Sequence, residues 1–219
     1  MNKPLNFVLI GRSGCGKGTQ AKLLMENFGN FYYISTGDLL RDLASQDTDV
    51  GQRIKKIIET GGLPYDDLAT TLWMREIAYK VKEDQGIMAD GFPRRLNEAK
   101  NLYQFLKFLD REKTTFYILI DISREEAFNR LTKRRICKKC GRLIPWIGEF
   151  KKLEVCDECG GELETRPDDT NEAINNRLDY FEERVIPVIK FFEEKGKLIK
   201  INGEQLIEDV FKDILTAIK

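Results

Sequence analysis

At 219 residues the chain has room for one large domain carrying insertions. Its 36 Lys and Arg balance 36 Asp and Glu, and that zero formal charge excludes the basic excess of a general nucleic-acid or membrane-surface binder. No histidine is present, which excludes imidazole chemistry, and no apolar run approaches the ~20 residues that span a bilayer.

Residues 1–4 run directly into the first apolar stretch, 7–10, leaving no room for a signal peptide. That stretch reads as a buried strand and is followed by Gly11-Arg12-Ser13-Gly14-Cys15-Gly16-Lys17-Gly18-Thr19 and then by a helical pattern over 18–28. Strand, glycine loop and helix in this order make a phosphate-binding loop. Its glycines let the backbone bend so that N–H groups face phosphate oxygens, and the helix adds the positive end of its dipole. Lys17 brings a mobile charge to the terminal phosphates, and Thr19 offers a hydroxyl to magnesium or phosphate. Gly18 stands directly after Lys17, where most such loops place Ser or Thr.

Further strands are expected at 31–34, 87–89, 115–120 and 198–201, and helices at 37–44, 67–81, 96–109, 125–133, 170–195 and 204–218. The alternation predicts an α/β fold, a parallel sheet with helices on both faces, binding its ligands beyond the carboxyl ends of the strands. Asp90, just after the third strand, is placed to orient a hydrated magnesium ion. Two segments break the alternation: 35–64, a helical pair ending in Gly61-Gly62-Leu63-Pro64, and 134–169. They read as appendages on a core made of 1–34, 65–133 and 170–219.

The second appendage carries Cys137-x-x-Cys140, fifteen further residues, then Cys156-x-x-Cys159. This spacing is a zinc signature, and four thiolates leave no open coordination position, so the metal is expected to be structural. Metal-binding thiols point to a reducing, cytoplasmic setting. The acidic residues around Lys138, Lys139 and Arg142 argue against nucleic acid as a partner. Cys15, inside the glycine loop, is read as a small space-filler.

The whole chain resembles an adenylate kinase of the long-lid, zinc-bearing bacterial type. The marks are Gly14 to Gln20, Ser35-Thr36-Gly37-Asp38-Leu39-Leu40-Arg41, Asp90-Gly91-Phe92-Pro93-Arg94, Arg130 to Arg135, Thr165-Arg166-Pro167-Asp168-Asp169 and Arg177. The resemblance implies a P-loop core with a five-stranded sheet, an acceptor-binding helical insertion at 35–64 and a lid at 134–169. Gly14, Cys15, Gly16, Lys17, Gly18 and Thr19 would cradle the donor phosphates. Arg130 would lie against the donor base, Arg134 would contact donor phosphates, and Leu143, Ile144 and Gln205 match further donor contacts. Thr36, Arg41, Gly62, Leu63, Pro64, Gly91, Phe92, Pro93 and Arg94 would hold the acceptor. Arg166 and Arg177 would bridge both nucleotides, so Lys17, Arg94, Arg134, Arg166 and Arg177 form the implied catalytic set.

The implied reaction is reversible transfer of a phosphoryl group from MgATP to AMP, giving two ADP, by a monomer containing structural zinc. Open alternatives are a kinase for GMP, UMP or CMP, and a catalytically silent nucleotide-binding zinc module. Ser13 and Arg95 depart from the family's usual proline and threonine. Glu98 departs where the family usually has a glutamine that reads the acceptor adenine. A carboxylate accepts from the adenine amino group but cannot donate to N1 unless protonated. The preferred reading is that Glu98 turns to solvent while Asn97 or a water serves adenine.

Overall fold

The computed structural model describes residues 3–62, 64–166 and 168–219. In chain order the described strands are β1 (Asn6–Ile10), β2 (Phe31–Ser35), β3 (Gly86–Asp90), β4 (Thr115–Asp121), β5 (Arg135–Cys137), β6 (Leu143–Ile144), β7 (Leu163–Thr165) and β8 (Leu198–Asn202). The α-helices are α1 (Lys17–Phe28), α2 (Thr36–Ala44), α3 (Asp49–Glu59), α4 (Asp66–Lys80), α5 (Leu96–Phe108), α6 (Arg124–Lys133), α7 (Asn171–Tyr180), α8 (Ile186–Glu194) and α9 (Ile207–Ala217).

Five strands form one parallel sheet in the order β2-β3-β1-β4-β8. All five stretches read as strands from the sequence are in it. The central strands β1 and β3 are buried along their whole length. Their alternate side chains feed two cores, because successive residues of a strand point to opposite faces. Val8 and Ile10 join Tyr117, Leu119, Trp73, Phe92 and Phe192 on one face. Phe7 and Leu9 join Ile118, Ile120, Leu24, Leu131 and Leu178 on the other. A strand covered on both faces is apolar along most of its length, which is why these runs lack the alternation of a half-exposed strand, and the polar exceptions, Asn6 and Asp90, stand at strand ends.

The stretch 170–195 is not one regular helix. A π-helical turn, Phe181–Val185, separates α7 from α8. Pro187 lies in the first turn of α8 and has no N–H to give to a carbonyl behind it, so a widened turn at this point relieves the helix. The 35–64 segment is the expected helical pair. Ser35 caps α2 through the Asp38 N–H (3.3 Å), and Thr48 caps α3 through the Gly51 N–H (3.0 Å). The 134–169 segment holds a small antiparallel sheet, β6-β5-β7, that periodicity does not reveal because none of its strands exceeds three residues.

Candidate active site

The glycine loop runs from the end of β1 into α1. Gly14 and Gly16 have φ of 82° and 98°, a region that costs a side chain but not glycine. Gly16 is the N-cap of α1 and has no side chain to cap it, so the first N–H groups of the helix face outward for an anion. Lys17 Nζ donates to the carbonyls of Gly11 (2.8 Å) and Arg12 (2.9 Å), curling back over the loop. At Gly18 a Cβ would stand 3.4 Å from Asp90 Oδ2, an ordinary van der Waals contact, which places the loop directly against that carboxylate. Asp90 in turn accepts from the Tyr33 hydroxyl (2.8 Å), and burial, then the Asp90 charge, push the Tyr33 phenol up.

Arg12, which the sequence reading passed over, ties the loop down. It donates to the Ile122 carbonyl (2.9 Å), Asp121 (3.3 Å) and Glu182 (2.5 Å), and its guanidinium lies 4.2 Å from the Phe181 ring centre. It thereby links the loop to the end of β4 and to the π turn.

A cavity of about 660 Å³ opens above the loop, in the size range of small-molecule sites. Of the residues singled out from the sequence, Gly14, Cys15, Gly16, Lys17, Gly18, Thr19, Arg41, Gly62, Asp90, Gly91, Arg94, Arg130, Arg134, Leu143, Arg166, Arg177 and Gln205 line it. Pro93 lines a smaller adjoining cavity of about 50 Å³. Phe92 instead stacks on Trp73 in the core, 5.2 Å between ring centres. Ile144 is fully buried within the 134–169 segment and Pro64 is buried. Thr36 is 2% exposed, and its hydroxyl has no partner among the described residues. Leu63 lies outside the described residues. Trp146, Ile147 and Phe150 also line the cavity. Trp146 and Ile147 sit in irregular chain and Phe150 in a short 3-10 helix, Gly148–Lys152, where no periodic signal marks an inward face.

The cavity's arginines are packed closely enough to repel, and two aspartates hold them. Asp169, its side chain wholly buried, takes Arg134 in a two-pronged contact (2.9 and 2.8 Å) and Arg177 (2.7 Å). Asp168 takes Arg166 (2.8 Å) and Arg177 (3.1 Å). Burial would raise the Asp168 carboxyl, but Arg166 and Arg177 outweigh it and hold the group below its ordinary range. Arg94 donates to the Gly91 carbonyl (2.6 Å); desolvation above all lowers its pKa, and Arg177 and Arg41 add to that. Arg166 is lowered first by burial and then by Arg134. Buried guanidiniums crowded in this way are stabilised by an arriving anion, and their planar forks suit phosphate oxygens. On the donor side, Arg130 is set by Glu126 (2.6 Å) and the Gly203 carbonyl (3.0 Å). Gln205 is set by Asp213 (2.7 Å).

Glu98 corrects the sequence expectation. It does not turn to solvent: it is 5% exposed and points inward. Its Oε1 accepts from the Trp73 indole N–H (2.9 Å) and its Oε2 from the Arg94 backbone N–H (2.6 Å). Burial raises its carboxyl, with these N–H groups opposing. The expectation failed because Trp73, its partner, lies on another helix 25 residues earlier.

The four sulfurs of Cys137, Cys140, Cys156 and Cys159 lie within 4.8 Å of one another. The pairs Cys137–Cys159 and Cys140–Cys156 are 3.5 and 3.7 Å apart. Tetrahedral zinc with bonds of ~2.3 Å requires sulfurs ~3.8 Å apart, so the cluster fits that ion. Backbone N–H groups, that of Cys140 foremost, hold the Cys137 thiol down to about 6. At Cys140 the largest influence, the Arg142 N–H, also acts downward, but the neighbouring thiols and desolvation push the group up to about 12. Four sulfurs this close cannot all ionise without a cation among them. The segment bearing them reaches the core through Glu158, which pairs with Lys22 of α1 (3.1 Å).

Two outcomes are expected. Glu98→Gln replaces one acceptor with an NH₂ facing a buried N–H, so it should cost ~1–3 kcal/mol in urea unfolding; an unchanged midpoint would refute the inward pairing. Cys137→Ser should lose the one zinc per chain expected from metal analysis and expose the 134–169 segment to proteolysis. Retained zinc with an intact protease pattern would refute the cluster's role.

The chain matches the family model described as adenylate kinase over residues 9–197. An adenylate kinase of Bacillus licheniformis is 38% identical over 211 residues, 96% of this chain and 96% of its own length. One of Geobacillus sp. is 39% identical over 211 residues, again 96% of each. One of Petrotoga mobilis is 36% identical over 216 residues, 98% of each. Matched along nearly its whole length, with its phosphate loop and its arginines gathered on one cavity, the chain belongs to the adenylate kinase family.

Proposed function

We propose that the chain is a phosphotransferase that moves the terminal phosphoryl group of MgATP reversibly to AMP, giving two ADP. The observation that carries this is the convergence of Lys17, Arg41, Arg94, Arg134, Arg166 and Arg177 on one cavity. Transfer between nucleotides needs no covalent protein group; it needs two anions aligned in line and their charge offset.

The loop from Gly14 to Thr19 holds the donor phosphates, with Lys17 swinging from its carbonyl partners to the terminal one. Arg130, Leu143, Ile144 and Gln205 form the donor-base side. Thr36, Arg41, Gly62, Leu63, Pro64 and Gly91 to Arg94 form the acceptor side, and the unpartnered Thr36 hydroxyl supports a polar ligand there. Glu98 serves that side indirectly, by fixing the Arg94 backbone. Arg134, Arg166 and Arg177 exchange their aspartate contacts for phosphate oxygens as charge develops. Asp90 would hold magnesium through water beside the donor phosphates, where the ion would supply compensation of their charge. Zinc on the four cysteines is structural: it holds together a lid, 134–169, too short to build its own core. The lid's closure over the 35–64 insertion and the core expels water, the competing acceptor. The proposed unit is a monomer, since one chain supplies every cation of the cavity. Free thiols that bind metal support a cytoplasmic setting.

A coupled assay pairing ATP with AMP, GMP, UMP and CMP tests the reaction. AMP should be by far the best acceptor, and Lys17→Met should lower turnover by roughly two to three decades with the circular dichroism unchanged. A better acceptor than AMP, or near-normal activity of Lys17→Met, would overturn the reading.

A further inference from the structure

Tyr33 stands two residues before the end of β2, a position that neither motif nor spacing marks. Across the sheet Ser35 is the direct partner of Asp90, so Tyr33 meets Asp90 on the diagonal of the same face. Both line the cavity. The Tyr33 hydroxyl donates to Asp90 Oδ2 at 2.8 Å. A carboxylate at the end of a strand can rotate, and a hydroxyl that holds one of its oxygens fixes the direction of the other.

We propose that Tyr33 is a positioning residue: its hydroxyl tethers one oxygen of Asp90, keeping the carboxylate turned to the hydrated divalent cation of the donor nucleotide. This rests on the magnesium role proposed for Asp90. The tether acts on the metal–nucleotide complex and leaves recognition of the bare nucleotide alone. Phenylalanine keeps the ring and its packing on β2 and removes only the hydroxyl, so Tyr33→Phe isolates the tether.

The test uses the full chain and measures binding apart from turnover. Calorimetry compares ATP without metal, MgATP and AMP, and the electron spin resonance of Mn²⁺ reports the metal in the ternary complex. Tyr33→Phe should weaken MgATP and the Mn²⁺ complex roughly ten-fold, with metal-free ATP and AMP changed by no more than about two-fold. On an Asp90→Asn background the same change should do nothing further to MgATP. Unchanged or tighter MgATP binding, equal weakening with and without metal, or a full additional loss in Asp90→Asn would each overturn the tether. If the parent chain gains nothing from metal, the magnesium reading falls first and takes the tether with it. If the parent and Asp90→Asn differ as expected but Tyr33→Phe does not, the tether alone falls.

Discussion

The structure depends on managing like charge. Arg94, Arg134, Arg166 and Arg177 share one cavity with Lys17, and no fold tolerates that concentration of cations without counter-charge. Asp168 and Asp169 supply it from a single turn of chain at the root of α7, each serving two arginines. The aspartates keep the guanidiniums folded in and oriented. Elements far apart in sequence are arranged around this point. The sheet delivers the glycine loop and Asp90 from β1 and β3, α7 delivers Arg177, and the 134–169 segment delivers Arg134 and Arg166.

The scaffold's rigidity and the site's freedom are separated spatially. Two apolar cores clamp the sheet, and Arg12 fastens the glycine loop to β4 and the π turn. The cysteine cluster meets α1 through the exposed Glu158–Lys22 pair, an interaction of the kind worth well under a kilocalorie and readily exchanged. The same 134–169 segment is tied to α7 by the Asp168 and Asp169 contacts with Arg177.

What the sequence disclosed follows from how far each feature reaches. The phosphate loop, the C-x-x-C pairs and the five core strands are local patterns, and each was legible because chemistry fixes spacing within a few residues. The arginines were legible only through family resemblance, since a lone arginine carries no address. Features that depend on a partner in space were lost: Glu98 was misread because the Trp73 indole that turns it inward is on another helix, and Arg12 and Tyr33 passed as loop and strand residues. The lid strands were too short for periodicity, and the π turn reflects the local demand of Pro187.

The central claim is that these guanidiniums grip two phosphate-bearing molecules end to end. A crystal structure with a bisubstrate mimic, ATP and AMP joined through one added phosphate, tests it most directly. The account requires Arg94, Arg134, Arg166 and Arg177 within hydrogen-bonding distance of the linking phosphates, with Lys17 lifted from the Gly11 carbonyl. A mimic bound in the closed form with those side chains turned away from its phosphates would contradict it.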